Sequence, residues 1–194
     1  MWFPRKKFLI GFFGGFLAPF GIPLINLLRA KRRVKNYLRP PGALEESQFL
    51  SACIGCAQCA NVCPNDCIRF YGLEKGLAYL GTPYIDARAK GCILCMACNQ
   101  VCPTGALVPL PKTEQGMLMV KMGKAHVLKD YCYSYAGRTC GVCYKACPLP
   151  GKAMTLGLYE TPIVHKEYCV GCGLCEQACV HMPQAIRVTP SYLL

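Results

Sequence analysis

No acidic residue occurs before residue 40 of this 194-residue chain, and no charged side chain of either sign occurs between Phe8 and Leu28. Histidine is scarce, with only His126, His165 and His181, read as surface or strand-end residues. No nucleotide-binding glycine motif is present, which argues against a flavin or nicotinamide site within the chain. The lopsided charge is informative. Arg5, Lys6, Lys7, Arg29, Lys31, Arg32, Arg33, Lys35 and Arg39 supply nine of the 22 basic residues, so the rest of the +12 chain carries only +3. A nucleic-acid-binding domain would carry its basic stripe on the folded part. Here the charge flanks an apolar stretch, which points to a membrane instead.

What the chain has in abundance is cysteine, 17 in all. Cys92, Cys95, Cys98 and Cys102 stand in the spacing C-x2-C-x2-C-x3-C, followed by Pro103. This is the bacterial [4Fe–4S] ferredoxin run, in which three cysteines embrace one cube and the fourth reaches the neighbouring cube. A zinc site would separate two cysteine pairs by a longer stretch. The run recurs as Cys53, Cys56, Cys59 and Cys63 with Pro64, and as Cys169, Cys172, Cys175 and Cys179 with Val180. A stretched copy, Cys132, Cys140, Cys143 and Cys147 with Pro148, has seven residues between its first two cysteines. First cysteines lie 39, 40 and 37 residues apart, the mark of an internal repeat. The sixteen cysteines are expected to be the ligands of four [4Fe–4S] clusters. Every run keeps all four, so no iron is left open for substrate chemistry, and an electron-transfer role is expected rather than catalysis. Cys67 is left over and reads as a buried packing thiol.

With 19 Gly and 15 Pro, the conventional core is modest. Clusters would tie distant backbone points together, and the iron-free chain is expected to be largely unfolded. Short strands are expected at 68–71, 82–86, 106–110, 125–129, 153–158, 162–165 and 185–188. The first run lacks a strand before it, and 48–50 looks helical. Strand, cysteine loop, short helix and strand make the half-unit of a ferredoxin fold. The fold class is therefore α+β, with tandem bacterial-ferredoxin-like modules forming two 2[4Fe–4S] folds and an N-terminal membrane anchor helix. Two pairings stay open: tandem, joining first run to second and third to fourth, or nested, joining first to fourth and second to third. The missing first strand mildly favours nesting. Ile54, Ile93, Leu94, Met96, Val170 and Leu174, set between cysteines, are expected to pack and to exclude water from the clusters.

Residues 1–28 read as an N-terminal membrane anchor or an uncleaved twin-arginine-like signal, and 8–28 is long enough to span a bilayer. Residues 29–48 read as a basic and Pro/Gly linker, and 49–194 as the four-cluster ferredoxin domain. The stretch Arg5-Lys6-Lys7-Phe8-Leu9 resembles a twin-arginine export signal with lysine at the second position. That would place the domain outside the cytoplasm. Six basic residues between Arg29 and Arg39 favour the cytoplasmic face instead.

Further stretches carry a family resemblance: Arg39-Pro40-Pro41-Gly42-Ala43-Leu44, Gly81-Thr82-Pro83-Tyr84, Cys143-Tyr144-Lys145-Ala146-Cys147-Pro148-Leu149, Lys152-Ala153-Met154-Thr155-Leu156 and Pro162-Ile163-Val164-His165. Over residues 39–190 the chain resembles the NapG/MauM family of ferredoxin-type proteins. The resemblance implies four [4Fe–4S] clusters, membrane association and a periplasmic location. It also implies electron transfer from a membrane-bound quinol-oxidising subunit to a periplasmic reductase, as in nitrate reduction. The alternative is a cytoplasmic-face polyferredoxin subunit of a quinone-reactive or complex-I-like membrane oxidoreductase.

Overall fold

The computed structural model describes residues 37–194. Its elements are short, as expected of a chain rich in Gly and Pro. The first half holds helix α1 (Glu46–Ala52), helix α2 (Gln58–Asn61), strand β1 (Ile68–Phe70), strand β2 (Pro83–Ile85) and helix α3 (Ala97–Gln100). Helix α4 (Glu114–Leu118) leads into the second half, with strand β3 (Gly123–Val127), helix α5 (Val142–Lys145), strands β4 (Met154–Leu156) and β5 (Pro162–Val164), helix α6 (Leu174–Ala178) and strand β6 (Ile186–Pro190).

Strand pairing resolves the question of how the runs combine. β1 pairs antiparallel with β2, with Ile68 opposite Ile85. β3 pairs with β6, from Gly123↔Pro190 to Val127↔Ile186, and β4 pairs with β5, with Met154 opposite Val164. Every sheet closes within one half, so the pairing is tandem and nesting is overturned. The strand that seemed missing before the first run is replaced by the segment 38–44. Leu38 exchanges backbone hydrogen bonds with Ile85 (3.0 and 2.8 Å), and Leu44 N–H donates to Ala106 C=O (3.1 Å).

This corrects further expectations. The stretch 38–47, the Pro/Gly part of the segment 29–48 read as linker, packs into the core at its start: Leu38, Arg39, Pro40 and Pro41 are buried. The Arg39 guanidinium donates to Glu46 (2.6 and 3.0 Å), Thr82 (3.1 Å) and the Pro83 carbonyl (2.7 Å), and lies 4.6 Å from the centre of the Phe49 ring. Residues 106–110 form no strand. Their apolar residues serve instead as bridge partners for 42–44, with Ala43 opposite Leu107. The third-run strand runs from Gly123, opposite Pro190, and stops at Val127 before residues 129–131 turn into a 3-10 helix.

The main core is built by Phe49, Ile68, Ile85, Leu94, Met96, Leu107, Val120 and Met122, interleaved with cysteines. A smaller cluster of Ala125, Met154, Cys175 and Ile186 serves the second half. Among the described residues no helix is long and apolar enough to cross a membrane. The expected anchor at 8–28 lies outside the described residues.

Candidate iron–sulfur sites

Three of the four cysteine loops are bent by left-handed residues on either side of the second cysteine. In the first run these are Gly55 and Ala57 (φ +67° and +62°), in the second Leu94 and Met96 (+57° and +56°), and in the fourth Gly171 and Gly173 (+74° and +85°). The stretched third run keeps only the later one, Gly141 (φ +56°). Such turns aim successive backbone N–H groups into the loop and make an anion-binding concavity of the kind that holds iron–sulfur clusters. An L side chain in this conformation costs roughly 1–2 kcal/mol. Leu94 and Met96 accept that cost while almost fully buried (1 % and 0 % exposed), so their packing holds the loop in shape.

The sixteen expected ligands gather in four hollows, each mixing two runs. Cys53, Cys56 and Cys59 share one with Cys102, the last cysteine of the second run. Cys92, Cys95 and Cys98 share the next with Cys63, the last cysteine of the first. The second half repeats the exchange. Cys132, Cys140 and Cys143 stand with Cys179, and Cys169, Cys172 and Cys175 with Cys147. Among the described residues no three His, Cys, Asp or Glu side chains converge as they do around a single metal ion. The cysteines stand instead around a space, which suits the larger body of a cube.

The surroundings fit that group. Backbone N–H groups of Leu94, Leu107, Ala125 and Ala185 donate to the sulfurs of Cys92 (3.4 Å), Cys102 (3.5 Å), Cys169 (3.4 Å) and Cys179 (3.3 Å). Each hollow thus has a charge-stabilising donor besides its thiols. Burial pushes the free thiols up, Cys59 and Cys143 to about 11 and Cys98 and Cys172 to about 12. These groups resist becoming bare thiolates, the form a metal requires. Bound iron would supply the missing positive charge. Cys102 goes the other way: burial pushes it up, but backbone N–H groups led by Leu107 and the Thr104 hydroxyl bring it below the ordinary value.

Not every side chain between cysteines seals a hollow. Leu94, Met96 and Val170 are buried, whereas Ile54 is 70 % exposed and Ile93 43 % exposed. Cys67 is buried as expected (3 % exposed), but it opens onto the second hollow beside four cysteines. His165 bonds to Thr155 at the end of β5, and His181 lies against the Tyr133 ring.

The two halves meet where the second and fourth loops touch. Cys92 N–H donates to Cys172 C=O (2.8 Å), and Gly91 N–H to the Gln177 side-chain carbonyl (2.8 Å). Asn65 of the first loop holds the Gly91 carbonyl (2.8 Å). A side chain at Gly91 would meet the Leu174 nitrogen at 2.7 Å, so only glycine allows this approach. Nothing in the local sequence marked Gly91 as special.

Crossed cysteine loops on paired strands, with amides aimed at their sulfurs, define an iron–sulfur electron carrier of the ferredoxin type. Comparison with known sequences agrees. Residues 52–106 match the 4Fe-4S dicluster domain, and residues 130–155 and 166–179 match a 4Fe-4S binding domain. The chain is 37% identical over 201 residues to the ferredoxin-type protein NapG of Escherichia coli K12, covering 96% of this chain and 85% of that one. It is 39% identical over 174 residues to the methylamine utilization ferredoxin-type protein MauM of Methylorubrum extorquens, covering 84% and 77%. A ferredoxin-type protein NapF of Escherichia coli K12 is 30% identical over 151 residues. The chain belongs to the NapG/MauM family of ferredoxin-type proteins.

Proposed function

We propose that the chain is a relay of four [4Fe–4S] clusters held by Cys53, Cys56, Cys59 and Cys102; by Cys92, Cys95, Cys98 and Cys63; by Cys169, Cys172, Cys175 and Cys147; and by Cys132, Cys140, Cys143 and Cys179. The observation that carries this is the fourfold recurrence of a four-cysteine hollow with the last ligand exchanged between paired runs. When bound, the clusters supply one-electron storage at each hollow. The chain's own residues set the order of the sites. Exchanged cysteines join the two hollows within each half, and the Cys92–Cys172 backbone bond joins the halves. The order is therefore first run, second run, fourth run, third run. The buried residues Leu94, Met96 and Val170 exclude water along the interior. The outer hollows carry exposed side chains, Ile54 at one and Tyr133 and Val180 at the other, which suits entry and exit of electrons through partners.

The partners proposed are a membrane-bound quinol-oxidising subunit and a terminal reductase, with the chain held on the periplasmic face of the inner membrane by residues 8–28. Its family membership and the charge-free stretch between two basic clusters support this. Two measurements test it. Anaerobically purified protein should contain sixteen irons per chain on the four-cube reading, and reductive titration followed by electron paramagnetic resonance (EPR) should show four interacting clusters. Protease added to spheroplasts should remove a C-terminal tag. A tag protected until lysis would place the clusters on the cytoplasmic face and replace the periplasmic reductase with a complex-I-like partner.

A further inference from the structure

Cys67 lies outside all four runs, yet it is placed against one of the proposed ligands and shares a hollow with others. Its sulfur is 3.6 Å from that of Cys63, and it lines the same hollow as Cys92. Both belong to the second hollow. At 3 % exposure it is shielded from solvent, so no water competes for its proton. The four irons of a cube there would already be matched by Cys63, Cys92, Cys95 and Cys98, which leaves none for a fifth thiol. An iron-bound Cys63 thiolate could not donate, so Cys67 would be the donor across the 3.6 Å contact.

Position 67 is four residues beyond the last cysteine of its run. The equivalent position in the paired run is Ala106, which is buried (1 % exposed) and lines the first hollow. In the third and fourth runs the equivalents are Gly151 and Pro183. The fold thus does not need a thiol at this place, and alanine is a size that the paired loop accommodates. The second hollow alone has a sulfhydryl there.

We propose that Cys67 is a sulfhydryl hydrogen-bond donor to the Cys63 sulfur, and that it raises the reduction potential of the second cluster relative to a site without it. The physical reason is charge. A reduced cluster carries one more electron, spread partly over its ligand sulfurs, so a donor to those sulfurs stabilises the reduced form more than the oxidised one. Burial magnifies the difference, because no solvent dipole substitutes for the lost donor. Cys67 is thus a positioning and tuning residue. It would set the step between the first and second sites, on the side of the relay where the halves meet.

This inference rests on the four-cluster reading, and iron content of the unaltered protein tests that reading first: fewer than four cubes would sink it before any substitution is made. The tuning role is then tested on the full-length holoprotein with Cys67→Ala and Cys67→Ser. Iron per chain is expected to stay at the unaltered level in both. In an EPR-monitored redox titration, one of four reduction steps should shift to more negative potential in Cys67→Ala, while the other three stay in place. Cys67→Ser keeps an O–H donor and should recover part of the shift. Electron–nuclear double resonance should show a solvent-exchangeable proton coupled to that cluster, absent in the alanine variant. Unchanged potentials with full iron would overturn the proposal. Loss of about one cube in both variants would overturn it too, by making Cys67 a ligand.

Discussion

The junction between the two halves can be tested at a single atom. In Gly91→Ala, the new Cβ would sit 2.7 Å from the Leu174 nitrogen, 2.8 Å from the Gly173 carbonyl carbon and 3.0 Å from the Leu174 Cα. All three are backbone atoms and cannot swing aside. Ordinary contact would require the loops to part by about 0.7 Å. The same movement stretches the 2.8 Å bond from Cys92 N–H to Cys172 C=O toward roughly 3.5 Å, beyond hydrogen-bonding range. Overpacking costs about 1–3 kcal/mol and the lost bond about 1 kcal/mol. Against this stands a gain of about 0.4–1 kcal/mol from the stiffer unfolded chain. The expected net loss is about 1–3.5 kcal/mol. Each hollow lies within one half, so iron content should not change. Two readouts should change: the guanidinium midpoint for anaerobic bleaching should fall, and the magnetic coupling between the second- and fourth-run clusters should weaken. Gly91→Ala as stable as the unaltered protein, or more stable, with coupling intact, would refute the close backbone approach and the order of sites built on it.

Other consequences are open to measurement. Crossing of the runs predicts that Cys102→Ser and Cys59→Ser, made together, lose about as much iron as either alone, because both serve one site. Cys102→Ser with Cys98→Ser should lose about twice as much. Arg39→Ala leaves Glu46 largely buried without its partner, and removes the cation above Phe49. It should destabilise the fold by about 3–5 kcal/mol in anaerobic denaturation, with Arg39→Lys intermediate. Met96→Gly removes a fully buried side chain, worth about 2–5 kcal/mol, but relieves the left-handed backbone by about 1–2 kcal/mol. A net loss of about 0–4 kcal/mol, centred near 2, should appear as faster bleaching. Stripping iron with a chelator should collapse the far-ultraviolet circular dichroism, since so many core positions are cysteines.

The cysteine runs were legible because ligand spacing is local chemistry: three sulfurs on one loop must face one body, and a fourth must face away. The strands at β1, β2, β4 and β5 followed from short apolar stretches beside those loops. Pairing was not legible, because whether Ile68 meets Ile85 or a strand near the C-terminus depends on contacts that no window of sequence contains. The segment 38–44 was misread for a related reason. Prolines and glycine mark irregular backbone, but irregular backbone can still be buried when it brings its own partners, and Arg39 supplies five of them within one side chain.

Leu94 and Met96 show how the two levels depend on each other. Read as sequence, they are apolar residues due to be buried, and they are. Their left-handed backbone was not visible, because the first and fourth runs put glycine at one or both of these positions and the second run does not. The second loop therefore obtains by core packing the curvature that the fourth obtains from glycine. That loop is also the one that touches the other half through Cys92 and carries Cys67 at its back. A loop held by packing has fewer alternative conformations than one held by glycine. The junction thus joins the stiffest of the regular loops to the fourth loop, which has glycine on both sides of Cys172.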